Sequence, residues 1–338
     1  MSLVKIEIQK IIDNFDIKIA TAKHFTISDT ILIAGSPRSG TTWLMELLER
    51  IPSYRHIFEP LNPNEFPESL QKGFQSRTYL PPDTYWPEGE NYLLRTFTGR
   101  TRSLTNKHSS INSPQSFFLS IMTNKLIVKE VRANRLLPWI AKRFPLKAII
   151  FIIRHPCAVI YSQLKTGYTA YHNSNPPYTD ITPSLENILA EASTIDGLEN
   201  NVLNKLKRLE TQEELLAATW CLDNYVPLFA PQPHLSTVIY EKIFTKPEKE
   251  IPDIFSMLGI KRIPHSVLKQ VKKPSKETQR ADLNNLRSGQ EQLIKWKKYL
   301  SEKQITRILK VVSDFGLDFY TKETEPDYDR FCQVILKK

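Results

Sequence analysis

The residues best suited to chemistry lie in a short turn that follows an apolar run. Thr30–Ala34 is a candidate buried strand, and the sequence GSPRSG separates it from a helical pattern that begins at Thr41. Gly35 and Gly40 have the spacing of a phosphate-binding loop, in which backbone N–H groups and a helix N-terminus form a cradle for an anion. Thr41 and Thr42 add hydroxyl donors. The segment therefore predicts a site for a phosphate or sulfate group.

The cation of this loop does not have the position that it has in nucleoside triphosphatases. Those enzymes carry a lysine directly after the second glycine, where this chain has Thr41, and the cation here is Arg38. They also need an acidic residue at the end of a neighbouring strand to hold Mg²⁺. The candidate strand Ala148–Ile153 is followed instead by Arg154. The pattern disfavours the first alternative, a metal-dependent kinase or triphosphatase, and predicts that no metal is required.

A second anion site is indicated by Arg154 together with Ser162, which lies eight residues later on a helical pattern. The planar fork of a guanidinium group suits a phosphate, and a serine hydroxyl can donate a further hydrogen bond. Two anion sites that bracket one adenosine describe a bisphosphorylated nucleotide better than they describe ATP.

Three segments resemble motifs of the sulfotransferases that use 3′-phosphoadenosine 5′-phosphosulfate (PAPS). Ser36–Leu44 (SPRSGTTWL) resembles the loop that holds the 5′-phosphosulfate, and Phe151–Gln163 (FIIRHPCAVIYSQ) resembles the 3′-phosphate motif. Val238–Ile243 (VIYEKI) is similar to a strand-then-helix element of the same family. The three occur in the family's order. The resemblance implies PAPS as co-substrate, adenosine 3′,5′-bisphosphate (PAP) as product, and a P-loop-like fold closer to carbohydrate-type and bacterial members than to phenol-type ones.

The resemblance also implies which residues hold the nucleotide. The loop after the first strand takes the 5′-phosphosulfate, and the arginine and serine after the later strand take the 3′-phosphate. The basic segment KKPSKETQR has the position of the family's loop over the nucleotide, and the tryptophan of the first helix either stacks on adenine or belongs to the core. The candidate nucleotide-binding residues are Pro37, Arg38, Ser39, Gly40, Thr41, Thr42, Trp43, Arg154, Ser162, Lys273, Lys276 and Arg280.

Either the base that takes the proton of the acceptor or the class of acceptor differs from that of the phenol-type members. Those enzymes carry Lys-Thr-His on the strand where this chain has Lys129 but Val131 in place of the histidine. The sequence FEPL, which contains Glu59, resembles a short motif of carbohydrate-type members in which a glutamate faces the acceptor. We predict that Glu59 is the base, that Arg38 stabilises the leaving group, and that Lys129 contacts the phosphosulfate or the acceptor.

Other residues compete for the role of base. The rival candidates are His56, His108 and Glu130. His155 directly follows Arg154 and is expected to be a structural residue of that turn. In an undisturbed strand, alternation predicts that Lys129 and Arg132 do not both face the site, because they are an odd number of residues apart.

Short apolar runs alternate with helical patterns, which predicts an α/β fold with a parallel sheet flanked by helices. The predicted strands are Thr30–Ala34, Lys125–Val128, Ala148–Ile153 and Thr237–Tyr240. The predicted helices are Thr41–Arg50, Arg135–Phe144, Pro156–Leu164, Thr211–Phe229, Pro247–Leu258 and Glu291–Phe315. Proline-rich Pro52–Pro87 is predicted to be irregular. Residues 1–338 are predicted to form one domain, with an N-terminal extension over 1–28, a basic loop over 269–288 and a helical C-terminal region over 289–338.

The composition narrows the possible partners and compartment. The 46 Lys and Arg residues exceed the 36 Asp and Glu residues by ten, so an anionic partner is expected. The second alternative is a non-catalytic polyanion binder, but no nucleic-acid-binding motif is present and we expect no nucleic-acid partner. The expected acceptor is a small molecule or a glycan. Three widely spaced cysteines and the lack of a long apolar run favour a cytoplasmic protein without a membrane span. Nothing in the sequence indicates an oligomeric state.

Overall fold

A single parallel sheet organises the part of the chain that the computed structural model describes, which is residues 25–51, 53–101, 123–166, 183–230, 232–271 and 289–336. Its strands are β1 (Ile31–Ala34), β2 (Tyr54–Phe58), β3 (Lys125–Glu130), β4 (Ala148–Ile153) and β5 (Leu235–Ile239). The order across the sheet is β2-β3-β1-β4-β5, and every paired strand is parallel to its neighbour. The predicted α/β class with a parallel sheet is confirmed.

Helices cover both faces of the sheet. They are α1 (Thr41–Leu48), α2 (Pro67–Gln71), α3 (Pro87–Phe97), α4 (Leu137–Arg143), α5 (Pro156–Thr166), α6 (Leu185–Ser193), α7 (Asn200–Leu206), α8 (Gln212–Phe229), α9 (Tyr240–Thr245), α10 (Pro247–Met257), α11 (His265–Val271), α12 (Gly289–Tyr299), α13 (Glu302–Asp314) and α14 (Tyr328–Leu336). None of the helices in these ranges combines the length and the apolar character that crossing a membrane requires.

The central strands are apolar along their whole length because both of their faces are buried. Leu32 and Ala34 of β1 belong to the core on the side of α4, α5, α8 and α13. Ile31 and Ile33 belong to the core on the side of α1, α9, α10 and α11. Alternate side chains of a strand point to opposite faces, so a strand between two helical layers needs apolar residues at every position.

The strand order places a crevice at the carboxyl edge of the sheet. The chain passes from β1 to one side for β2 and β3, and to the other side for β4 and β5. Connections that leave β1 and its neighbours in opposite directions open a cleft at their carboxyl ends, where α/β proteins bind ligands. The loops that carry the predicted site residues all begin at this edge.

The strand β2 is missing from the sequence-based prediction, which treats its residues as part of the irregular proline-rich segment. Its sequence is YRHIF, and both Arg55 and His56 are buried in the middle of it. These polar residues interrupt the apolar run by which the other strands are predicted. The strand predicted over Thr237–Tyr240 exists, but its ends differ: β5 spans Leu235–Ile239, and Tyr240 begins the next helix.

The long C-terminal helix that the sequence predicts over Glu291–Phe315 is two helices. The break lies at Ser301, whose hydroxyl accepts from the backbone N–H of Gln304, while the Gln304 side chain accepts from the Ser301 N–H. This capping box starts a new helix because each side chain satisfies a backbone donor of the other residue. The apolar periodicity continues across Ser301, so the sequence pattern did not predict the start of α13.

We expect Ser301→Ala to lower the free energy of unfolding by about 1 kcal/mol, the usual contribution of an N-cap hydroxyl. Chemical denaturation measures this difference. Ser313→Ala, an exposed position inside α13, is the matched control and should stay within about 0.5 kcal/mol of wild type. Equal effects of the two substitutions would show that the Ser301 cap does not stabilise the start of α13.

Candidate active site

The loop between β1 and α1 has the backbone form of an anion cradle. The Ser39 N–H donates to the Ser36 carbonyl at 3.0 Å, and both Arg38 (φ 76°) and Gly40 (φ 102°) are in the left-handed region. Gly40 is the N-cap of α1 and has no side chain that could cap the first turn of the helix. The first N–H groups of the helix, together with the positive end of the helix dipole, favour an anion at this point.

Both glycines of the loop are required by close packing. A Cβ on Gly35 would lie 2.5 Å from the Ile152 carbonyl oxygen of β4. A Cβ on Gly40 would lie 2.5 Å from the ring of Tyr240, and the positive φ there adds a second reason for glycine. The sequence motif therefore marks the approach of the loop to β4 and to the first residue of α9.

Three side chains from other elements hold the loop. Arg154 donates from Nη1 to the carbonyl of Arg38 at 3.1 Å, and Gln163 donates from Nε2 to the carbonyl of Pro37 at 3.1 Å. Asn224 of α8 donates from Nδ2 to Ser36 Oγ at 3.1 Å. Sequence reasoning misses Gln163 and Asn224. Gln163 is the last residue of the segment FIIRHPCAVIYSQ and could have been found there, whereas Asn224 lies in an ordinary helical pattern.

The two predicted anion sites are parts of one hydrogen-bonded cluster. The Arg38 side chain donates from Nε to Ser162 Oγ at 3.0 Å, while Arg154 holds the Arg38 carbonyl. The Arg154 guanidinium also lies over the Tyr240 ring, 4.3 Å from its centre, and donates from Nη2 to the carbonyl of Gln292 at 3.2 Å. Parallel β1 and β4 are neighbours, so the loops at their carboxyl ends bring these residues together.

Two donors of this cluster fit an anionic ligand. Ser39 Oγ and Arg154 Nε are buried, and neither has a hydrogen-bond partner in the described part of the protein. A buried donor without an acceptor costs about 1–3 kcal/mol, which a bound phosphate or sulfate oxygen would recover. The orphaned donors and the glycine-lined loop therefore suit a bisphosphorylated nucleotide.

A second charged cluster surrounds Glu59 at the carboxyl end of β2. Glu59 is buried, has a positive φ of 48°, and forms ion pairs with Lys129 and with Arg132, whose Nη1 is 2.8 Å from Oε2. Lys129 is also buried and lies 4.1 Å from the centre of the Phe58 ring. Arg38 and Glu59, both predicted site residues, are two of the three non-glycine residues described with a positive φ. Such backbone strain concentrates at functional sites.

The ion pairs decide the charge of Glu59. Burial alone raises the pKa of Glu59, but Lys129 and Arg132 outweigh it and lower the pKa from 4.5 to about 2. The carboxylate is therefore ionised at neutral pH, as a proton acceptor must be. Its two cations also make it a weak base while they remain paired with it.

The alternation that would keep Lys129 and Arg132 on opposite faces of an undisturbed strand does not apply here. β3 ends at Glu130, and the chain bends over the next two residues, so the alternation does not extend to Arg132. Arg132 consequently joins the site, although the sequence reasoning favoured Lys129.

The rival bases occupy other environments. His56 faces the far end of α1, where its Nδ1 is 2.8 Å from Glu49 Oε1. Glu130 accepts from the backbone N–H groups of Leu61, Val131 and Arg132, so it ties the loops after β2 and β3 together. Burial raises the pKa of Glu130. His108 lies outside the described residues.

His155 has the structural role that the sequence predicts. Its ring stacks on Trp296 at 4.5 Å, Nδ1 accepts from the Cys157 N–H, and Nε2 lies 2.9 Å from the Thr321 carbonyl. Burial lowers the pKa of His155 to about 3, so the ring is neutral.

The remaining candidate residues divide into three groups. Thr41 and Thr42 are buried in the first turn of α1. Trp43, for which the sequence allows either adenine stacking or a core role, is 3% exposed and packs against Phe244 with ring centres 4.9 Å apart, so it lies in the core. The positions predicted for the loop over the nucleotide lie outside the described residues; they are Lys273, Lys276 and Arg280.

We expect Glu59→Gln to lower the free energy of unfolding at pH 7 by about 3–5 kcal/mol, because it leaves two cations without their buried counter-charge. A carboxyl group with a lowered pKa stabilises the fold above its ordinary pKa, and this stabilisation is lost as pH falls towards its folded pKa. The difference between wild type and variant should therefore shrink as pH falls from about 4.5 towards about 2. Urea denaturation over this range measures it.

Glu68→Gln is the matched control, because Glu68 pairs with Arg95 on the surface, where both side chains are more than 40% exposed. Glu68→Gln should lower the free energy of unfolding by less than about 1 kcal/mol. A Glu59→Gln variant that behaves like this control would contradict the electrostatic description of the cluster.

The chain resembles several sulfotransferases of known structure. It is similar to the sulfotransferase domain of the Synechococcus PCC 7002 olefin synthase (17% identity, 87% of this chain and 98% of that chain covered, TM-score 0.44). It is also similar to mouse sulfotransferase SULT7A1 complexed with PAP (14% identity, 90% of each chain covered, TM-score 0.44). A sulfotransferase from Alicyclobacillus acidocaldarius is 13% identical over 84% of this chain and 95% of that chain, with a TM-score of 0.32.

A search of curated proteins gives no match. A family model described as "Sulfotransferase family" matches residues 30–264, which is more than two thirds of the chain. The matched segment contains the loop after β1, the FEPL segment, Lys129 and the Arg154–Ser162 pair. The chain therefore belongs to the sulfotransferase family.

Proposed function

We propose that this sulfotransferase transfers a sulfuryl group from PAPS to a hydroxyl or amine of a carbohydrate or another polyhydroxylated metabolite. The observation that carries the proposal is the convergence of Arg38, Arg154 and Ser162 in one cluster at the carboxyl ends of β1 and β4. Arg38 belongs to the loop that precedes α1, and Arg154 follows the adjacent strand β4. That arrangement suits two anionic groups on one nucleotide.

The donor would be held by the residues of this cluster. The loop Pro37–Gly40 and the hydroxyls of Thr41 and Thr42 bind the 5′-phosphosulfate, while Arg154 and Ser162 bind the 3′-phosphate. When bound, PAPS supplies an activated sulfuryl group on a phosphate leaving group. Arg38 stabilises the charge that grows on that phosphate. Arg154 would keep its carbonyl contacts, because a guanidinium has five N–H donors and these contacts use two of them.

Glu59 acts as the base, and Lys129 controls its strength. In this proposal Lys129 turns from Glu59 towards the oxygens of the sulfuryl group during transfer. Burial, the largest single influence on Glu59, then raises its pKa again. Glu59 thereby becomes a better proton acceptor at the moment when the acceptor hydroxyl loses its proton. Arg132 stays behind as the fixed partner of the carboxylate.

The acceptor class is inferred from the base. A carboxylate with two cations beside it offers hydrogen-bond partners to more than one hydroxyl, which suits a polyhydroxylated acceptor better than a simple phenol. The FEPL resemblance to carbohydrate-type members supports the same class.

We expect adenosine 3′,5′-bisphosphate without metal to raise the melting temperature, whereas Mg·ATP does not. At 100 times its Kd a ligand stabilises the native state by about 2.7 kcal/mol. Arg154→Ala should abolish the shift. Arg95→Ala, which removes an exposed arginine of α3, should retain it. A larger shift with Mg·ATP would indicate a kinase or triphosphatase, and no shift with either nucleotide would overturn the nucleotide site.

A second experiment tests acceptor and base together. Sulfate transfer from radiolabelled PAPS to a monosaccharide, an oligosaccharide and a simple phenol should favour the sugars. Glu59→Gln should reduce kcat by about 10²–10⁴-fold, the usual contribution of a general base, with PAP affinity unchanged. Glu68→Gln serves again as the control. Transfer to the phenol alone, or full activity of Glu59→Gln, would contradict this assignment.

A further inference from the structure

The C-terminal helices contact the turn that carries Arg154, although they lie beyond residues 30–264, the segment that the family model matches. Arg154 itself donates from Nη2 to the carbonyl of Gln292 in α12. The next residue, His155, stacks on Trp296 of the same helix and contacts the carbonyl of Thr321 through Nε2. The turn after β4 is thus enclosed by the C-terminal region.

A buried carboxylate links the same turn to Tyr320. Glu241 of α9 is 1% exposed; its Oε1 accepts from the His155 backbone N–H at 2.8 Å. Its Oε2 accepts from the hydroxyl of Tyr320 at 3.1 Å, and the carboxylate also interacts electrostatically with Arg154. Burial raises the pKa of Glu241 to about 7, and its hydrogen bonds to the His155 backbone and to Tyr320 fix the orientation of this carboxyl group. Tyr320 therefore sets the position of the acceptor that holds the backbone next to Arg154.

Aromatic packing completes the enclosure. The Tyr320 ring lies edge-on to His155 at 4.9 Å and edge-on to Trp220 of α8 at 5.9 Å. Tyr240, which neighbours Glu241, supplies the ring beneath the Arg154 guanidinium. The side chains of Tyr240, Glu241, His155, Trp296 and Tyr320 are all buried, so a change in one is transmitted to the guanidinium through close packing.

We propose that Tyr320 and Trp296 are positioning residues for Arg154. The C-terminal helical region therefore contributes to binding at the 3′-phosphate site. This inference rests on the proposed function, because it assumes that Arg154 binds the 3′-phosphate. Neither side chain touches the nucleotide in this arrangement. Each side chain holds the turn that carries Arg154. The guanidinium is then already ordered before the nucleotide binds, so binding does not cost the entropy of ordering it.

Calorimetric titration with two nucleotides separates this role from a general loss of stability. We expect Tyr320→Phe to weaken the binding of adenosine 3′,5′-bisphosphate by up to about tenfold, as loss of one buried hydrogen bond would. Binding of adenosine 5′-phosphosulfate, which has no 3′-phosphate, should change less than about twofold. Tyr225→Phe is the matched control, since it removes a hydroxyl that donates to the Gly197 carbonyl away from Arg154.

Trp296→Phe provides a second variant in case Tyr320→Phe does not fold. The Trp296 Nε1 has no hydrogen-bond partner among the residues described, so this change removes no hydrogen bond, but it reduces the ring contact with His155 and the packing of a buried side chain. It should also weaken binding of the bisphosphate selectively. Equal loss for both nucleotides, or no loss in either variant, would overturn the positioning role. A wild-type protein that binds both nucleotides equally would instead refute the 3′-phosphate assignment of Arg154.

Discussion

The site depends on one guanidinium group that joins three parts of the chain. Arg154 follows the central strand β4, holds the carbonyl of Arg38 in the neighbouring loop, and holds the carbonyl of Gln292 in a helix near the end of the chain. A guanidinium can make these contacts and still offer donors to a ligand, because its N–H groups point in fixed and different directions. Substitution by lysine would keep the charge but lose this geometry.

Two charged clusters with different properties lie at the carboxyl edge of the sheet. The cluster of Arg38 and Arg154 is cationic and contains buried donors without partners in the described structure, so it suits an anion. The cluster around Glu59 is internally paired, so its carboxylate is held ionised and its cations are occupied. In our proposal the first cluster binds the sulfuryl donor and the second carries the base.

The parallel sheet explains why these clusters are neighbours. The loops after β1 and β4 bind the nucleotide in our proposal, and the loops after β2 and β3 carry the base and its cations. The pairing of Phe58 with Lys129 sets Glu59 next to the end of β3, and the Glu59 N–H donates to the Lys129 carbonyl at 2.7 Å. Strand register therefore determines which carboxylate meets which lysine.

The sequence alone determined the α/β class and the strand–loop–helix corner that carries Gly35 and Gly40, because these depend on local signals: apolar strands and glycine spacing. It did not determine β2, in which the buried polar residues Arg55 and His56 interrupt the apolar run, nor the break at Ser301, which a capping box creates inside a continuous apolar pattern. It also did not place Arg132 at the site, since alternation holds only while a strand continues. The contacts of Tyr320, Trp296 and Asn224 with the site join residues far apart in the chain. Only the tertiary structure decides them, because no local pattern records which distant side chain will cover a given turn.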